Sequence, residues 1–182
     1  MKYKSLKYLR LRTGRDHSWF DHFKKNNYVG VSFGLDVDIS NHLYENWRDF
    51  NSKYIDLVIK KSNGEKSRVG AGLNCGVIWT LSKGIEIGAT IICQDQDKNY
   101  HACKVTSNYY YDKKDPYHRR GVEWVGQLIN PTDMSTELSR SLAAQNTLID
   151  ISKYEDIINI SKKYFDDNFS ISNFEKFENE FN

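Results

Sequence analysis

Proline and cysteine are scarce in this chain, with two prolines and three cysteines among 182 residues. Cys75, Cys93 and Cys103 are odd in number and show no CxxC spacing, which argues against a disulfide framework and a zinc site. Cys93 and Cys103 lie in strand-like apolar runs, where a free thiol behaves as a small buried hydrophobe. Free thiols of this kind suit a reducing cytoplasm. No apolar run approaches the ~18 residues of a membrane-spanning helix, and the start lacks a signal-peptide pattern. The expectation is a soluble, cytoplasmic protein that does not enter a membrane.

Catalytic signatures are missing too. No HxH, HExxH, GxSxG or P-loop pattern occurs. The only Glu-Lys pairs, Glu65-Lys66 and Glu175-Lys176, do not close an apolar strand behind a preceding acid, as a metal-dependent nuclease would need. The chain is therefore expected not to be an enzyme, with no catalytic residue, no metal ligand and no cofactor. Internal repeats and low-complexity tracts are absent as well.

Tyrosine, by contrast, is abundant: 12 residues that lift the aromatic share to 14%. Tyrosine suits surfaces that are apolar on one side and wet on the other. Hydrophobic residues, at 39%, suffice for one modest core. The net charge of +2 is small but unevenly spread. Met1 to Arg15 carries six Lys or Arg and no acid, whereas Ile151 to Asn182 carries seven acids against four Lys. Such a chain can present a basic face to an anion, or the two ends are ordinary solvated segments.

Periodicity predicts six or so short strands with helices between them. Strands are expected over Lys4 to Arg12, Tyr28 to Phe33, Ala89 to Gln94, Tyr100 to Thr106, Arg119 to Val125 and Thr147 to Ile151. Helices are expected over His17 to Asn26 with Asp16 as cap, and over Leu43 to Lys60 capped by Ser40 or Asn41. Further helices are expected over Val69 to Leu81, from Ser135 to about Ala144, and from Ser152 to about Phe165. Ile171 to Phe181 places Phe174, Phe177 and Phe181 on one stripe. The pattern is α+β, a small curved β-sheet or barrel flanked by helices. One domain over 1–154 would be followed by a helical tail over 155–182.

Between two strands runs VTSNYYYDKKDPYHRRGVEW, Val105 to Trp124. It combines Tyr109, Tyr110, Tyr111 and Tyr117 with Lys113, Lys114, His118, Arg119 and Arg120. Aromatic faces beside cations suit a ligand that is flat and anionic, and a nucleotide is both. Phosphates are expected on Arg119, Arg120, Lys113, Lys114 and His118, and on Arg10, Arg12 and Arg15 near the start.

Four segments in this order resemble the PUA-like superfamily, in particular its EVE and YTH branches. They are YVGVSFG, GIEIGATIICQ with KVTSNYYY, HRRGVEWV, and LSRSLAAQNTLIDISKY. The likeness is strongest to EVE-like domains of modification-dependent restriction systems, fused there to nucleases and GTPases. It departs from the family pattern at Ala89, at Ser107 and Asn108, and at Phe33. The resemblance implies a PUA-like fold that reads a modified base, flipped into an aromatic cage. The cage residues it implies are Ser32, Phe33, Tyr109, Tyr111, Tyr117 and Trp124, with Asp36 or Asp38 for the base's polar edge. It also implies nucleic acid as the partner, DNA before RNA, and a nuclease or GTPase effector.

Several of these residues have plainer readings. Trp124 shares strand register with Val122, which favours the core, and Arg120 shares it too. Asp36 and Asp38 suit a simple turn. In a strand, the tyrosines of the tract cannot all face one way. The alternative function is a protein-interaction or small-ligand domain on the same fold without base reading.

Overall fold

A computed structural model describes residues 6–44 and 46–165. Most of the expected 155–182 tail, with its phenylalanine stripe, lies outside the described residues. The fold is α+β, as expected, with one curved six-stranded sheet and five α-helices among the described residues. The strands are β1 (Leu6–Leu11), β2 (Tyr28–Val31), β3 (Ile85–Gln94), β4 (Tyr100–Tyr111), β5 (His118–Trp124) and β6 (Leu148–Asp150). Their order across the sheet is β2-β5-β4-β3-β1-β6. The helices are α1 (Phe20–Asn26), α2 (Trp47–Lys61), α3 (Arg68–Trp79), α4 (Thr136–Leu142) and α5 (Asp156–Phe165). No helix among the described residues is long and apolar enough to cross a membrane.

The chain folds into two compact units. Among the described residues, the first holds Val29–Ile85 and Asn108–Arg120; the second holds Leu6–Tyr28, Glu86–Ser107 and Gly121 to Phe165. Strands β3, β4 and β5 each run from one unit into the other in sequence.

The first unit is built around the pair α2 and α3. The expected cap of α2, Ser40 or Asn41, instead lies in a short 3-10 turn over Ser40–His42. Asn46 caps α2, its side chain accepting the Arg48 and Asp49 N–H groups. Ser67 caps α3 by accepting the Gly70 N–H. The glycines of α3 let α2 approach closely: Gly76 lies under the Trp47 ring and Gly72 under Ile55. Phe50, Ile55 and Val58 of α2 and Ala71, Cys75 and Ile78 of α3 are buried. After Trp79 the helix widens into one π turn over Thr80–Gly84 and delivers the chain to β3.

In the second unit β1 pairs antiparallel with β6, Arg10 opposite Ile149. Strands β3 and β4 pair antiparallel over Thr90↔Lys104 to Gln94↔Tyr100. Their turn is closed by Asp95, whose carboxylate accepts the Asn99 N–H at 2.8 Å. The core gathers Ile92, Ala102, Val125, Ile129, Leu138 and Leu142 with Ile157, Ile160, Tyr164 and Phe165 of α5. Ser152 does not cap α5 as expected; its hydroxyl donates to the Tyr8 carbonyl oxygen. Nor does Asp16 cap α1, because it sits in a left-handed kink at φ 50°. Ser135 caps α4 as expected, accepting the Leu138 N–H.

One glycine marks where two strands of the first unit crowd together. A Cβ on Gly30 would stand 2.9 Å from the His118 carbonyl oxygen and 3.1 Å from the Pro116 ring. Backbone cannot yield as a flexible side chain can. Gly30→Ala is expected to destabilise the protein by about 1–3 kcal/mol, read as a lower urea midpoint at unchanged slope.

Candidate functional site

The tyrosine tract proves to be the end of strand β4 rather than loop. The loop proper is Asp112 to Tyr117, closed by the Asp112 N–H donating to the Tyr117 carbonyl at 2.8 Å. The pleat sends alternate tyrosines to opposite faces. Tyr109 and Tyr111 are half-buried on one face, and Tyr110 is exposed on the other.

Tyr109 and Tyr111 both meet the segment after β2. That segment turns sharply: the Leu35 N–H donates to the Ser32 carbonyl at 3.0 Å, with Phe33 at φ 51° and Gly34 at φ 78° between them. Two left-handed residues in succession make this a type I′-like turn. Glycine adopts that conformation freely, whereas phenylalanine gives up roughly 1–2 kcal/mol to do so. Gly34 lies against the Cβ of Lys61.

His118 ties the tract to this turn. Its Nε2 lies 2.8 Å from the Leu35 carbonyl oxygen, which can only accept, so Nε2 carries the proton. Nδ1 therefore accepts from the Tyr109 hydroxyl at 3.0 Å. Burial pushes the His118 pKa down to about 4, so the ring is neutral at pH 7. Burial also pushes the Tyr109 hydroxyl up, and the Ile39 backbone hydrogen-bonds to it. Tyr111 reaches further along the same segment, donating to the Asp36 carbonyl at 2.8 Å.

The loop is held from inside by Arg119. Its Nε donates to the Pro116 carbonyl at 2.8 Å and its Nη2 to the Lys114 carbonyl at 2.9 Å. Its Nη1 meets the Asp112 carboxylate at 2.7 Å. Ser32 fastens the other side: its hydroxyl donates to Asp115 and accepts the Tyr117 N–H. The Tyr117 ring stacks with Tyr111, centroids 6.3 Å apart and planes 25° from parallel.

Of the expected cage, the structure brings Ser32, Phe33, Asp36, Asp38, Tyr109, Tyr111 and Tyr117 into one unit. Within it, Tyr109 is occupied by His118. Asp38 forms a local turn, its carboxylate accepting the Ser40 N–H and hydroxyl. Asp36 pairs with Lys61 at 2.7 Å, and that hydrogen bond holds its carboxyl below the usual range. Phe33, Tyr111 and Tyr117 remain half-buried. Trp124 belongs to the second unit, its ring edge-on to Phe20 at 5.4 Å.

The expected phosphate residues divide by burial. Arg10, His118, Arg119 and Arg120 are buried and turned inward. Arg10 donates to the carbonyls of Leu142, Ala144 and Asn146, where α4 ends and leaves acceptors unused. Arg120 donates to the carbonyls of Leu81 and Ile85; burial lowers its pKa to about 10, which leaves it charged at neutral pH. Arg12 is half-buried against Gln145. Lys113, Lys114 and Arg15 are exposed, the last in the second unit. No group of three His, Cys, Asp or Glu among the described residues stands close enough to hold a metal ion.

Sequence reasoning passed over Asp112, Asp115, Lys61 and Gly30. The first two had a signal, since an acid near a buried arginine or serine in a short loop tends to pair with it. Gly30 had one as well, because glycine inside a strand marks a close approach. Lys61 had none; it lies 25 residues from Asp36 and only the fold joins them.

His118 gives the site a pH signature. Its folded pKa lies below the unfolded value of 6.5, so the unfolded chain binds more protons between about pH 6.5 and 4. Its contribution to stability is therefore full above pH 6.5 and lost as the pH falls towards 4, by an amount on the order of 3 kcal/mol. The His118→Gln variant should lose this component of the slope in urea unfolding over that window. Equal slopes in the two proteins would contradict the assignment.

Comparison with known proteins yields a family of unknown function. No curated protein matches the chain, and no solved structure matches it. The family described as "Domain of unknown function (DUF8426)" matches residues 8–152, a span that takes in the turn after β2, the tyrosine tract and the loop. The chain belongs to the DUF8426 family.

Proposed function

We propose that the protein is a nucleic-acid-binding module of the PUA-like kind, which reads a modified base, in DNA before RNA, between aromatic side chains of its first unit. The observation that carries this reading is the stacked Tyr111–Tyr117 pair beside the left-handed Phe33 turn, in a loop already fastened by Arg119 and Ser32. Strained backbone at an aromatic cluster is a mark of ligand sites, and a prefastened loop needs little ordering on binding. A flipped base costs a few kcal/mol to extrude. Stacking on one aromatic returns about 1–3 kcal/mol, and a methyl group in a tight slot adds roughly 0.8. Lys113 and Lys114 face outward at the loop tip, where phosphates would pass. By the same resemblance, the module would serve a restriction or defence system alongside a nuclease or GTPase effector.

A second reading is favoured by a different surface. Val69 and Leu73 are 75% and 68% exposed on a face of α3 that carries no charge. An apolar helix face of this kind suits a protein partner.

The readings part in a titration of labelled oligonucleotides, DNA and RNA, with and without a modified base, followed by anisotropy. Base reading predicts tighter binding of one modified strand and a loss of at least about 10-fold in Tyr117→Ala. With Lys113 and Lys114 as the phosphate contacts, log K should fall against log salt with a slope near −2, about 0.9 per contact. Absence of binding to every strand at low salt would leave the protein-partner reading.

A further inference from the structure

The β3–β4 hairpin of the second unit carries two buried thiols that neither reading uses. Cys93 lies opposite His101, and Cys103 lies opposite Ile91. Cys93 and Cys103 are therefore diagonal neighbours on the same face of the hairpin. They are 1% and 0% exposed, and the two thiols interact electrostatically. Cys103 also points its S–H at the Ile91 carbonyl oxygen, 3.7 Å away. Arg10, on the strand beside β3, stands within electrostatic reach of Cys93. The third cysteine, Cys75, is buried in the helices of the first unit with no second thiol.

We propose that Cys93 and Cys103 are a modification site: a dithiol closed reversibly to a disulfide by a two-electron oxidant of the peroxide class. Burial holds the Cys103 thiol in its protonated form, and a thiolate is the attacking form of cysteine, so Cys93 is the sulfur that attacks first. It gives up its proton and attacks a peroxide oxygen; the O–O bond breaks and Cys93 becomes a sulfenic acid, with one water formed. The Cys103 sulfur then attacks the Cys93 sulfur, the S–O bond breaks, and the hydroxyl leaves with the Cys103 proton as a second water. The sum is two thiols and one peroxide giving one disulfide and two waters.

Diagonal strand neighbours stand wider than a relaxed disulfide, with Cα atoms on the order of 7–8 Å apart against roughly 4.4–6.8 Å for a bridge. Closure must therefore slide the two paired strands locally along each other. A bridge that stores strain is readily reduced, which is the behaviour of a switch rather than a staple. Burial makes the reaction wait for local opening of the hairpin, so it should be slower than that of an exposed thiol.

The test uses the whole chain in native buffer. Reduced protein is treated with hydrogen peroxide over a range of doses at which circular dichroism stays native. It is then denatured, alkylated and mapped by mass spectrometry. The expected product lacks two hydrogens, carries one alkyl group on Cys75, and bridges the Cys93 and Cys103 peptides. Dithiothreitol should restore all three alkylation sites. Cys103→Ser should stop at a Cys93 sulfenic acid trapped by dimedone, and Cys93→Ser should lose the bridge. Three alkylated cysteines at every native dose would overturn the proposal. So would a bridge to Cys75, or a sulfenic acid on Cys103 rather than Cys93 in the single variants.

Discussion

Three consecutive polar side chains of β5 are buried, and much of the first unit is arranged to receive them. His118, Arg119 and Arg120 are all under a tenth exposed. A buried charge or imidazole is costly unless hydrogen bonds replace its water. Each finds backbone carbonyls that regular structure leaves unused. His118 takes Leu35 just after the I′-like turn. Arg119 takes Lys114 and Pro116 in the loop. Arg120 takes Leu81 and Ile85, the carbonyls around the π turn that ends α3. One short strand thus anchors a turn, a loop and a helix end. Carbonyls at chain irregularities need donors, and buried cations need acceptors, so each solves the other's problem.

This exchange explains why the turn after β2 can hold a phenylalanine in a left-handed conformation. A free loop would relax Phe33 to an ordinary φ. Here Leu35 is held by His118, Ser32 by Tyr117 and Asp115, and Gly34 is backed by Lys61. The surroundings over-determine the turn, and the strain persists because relaxing it would break several hydrogen bonds of about 1 kcal/mol each. The aromatic surface beside it is therefore set by backbone rather than by a flexible side chain.

Strand and helix placement was largely legible in the sequence because it follows hydrophobic period, and period survives folding. The α2 segment repeats Trp47, Phe50, Tyr54, Ile55 and Val58 at helical steps; Phe50, Tyr54, Ile55 and Val58 are buried. Caps were less legible. Ser40, Asn41 and Asn46 all suit an N-cap, and only the 3-10 turn over Ser40–His42 decides among them. The site was legible in composition but not in role. Tyr111 and Tyr117, both among the cage residues the resemblance implied, stack on each other, whereas Tyr109 became the partner of a histidine. The directions in which Arg10 and Arg120 point depend on carbonyls 35 to 136 residues away, which no local pattern encodes.

Those directions change what the charge of the chain can mean. A cation in a sequence is a candidate for an anion outside the protein or for carbonyl dipoles within it, and the two uses exclude each other. Arginine suits the inner use because its planar fork serves several acceptors at once; Arg10 and Arg119 each serve at least three partners here. Lysine suits the outer use, since its ammonium is strongly hydrated. The loop follows that division: Arg119 lies beneath it while Lys113 and Lys114 face solvent. Asp112 is paired with Arg119 and Asp115 accepts from Ser32, so the acids are drawn towards the protein and the lysines are left at the tip. The small net charge of the chain therefore does not measure the charge a ligand would meet, which is set locally by which side chains the fold has already used.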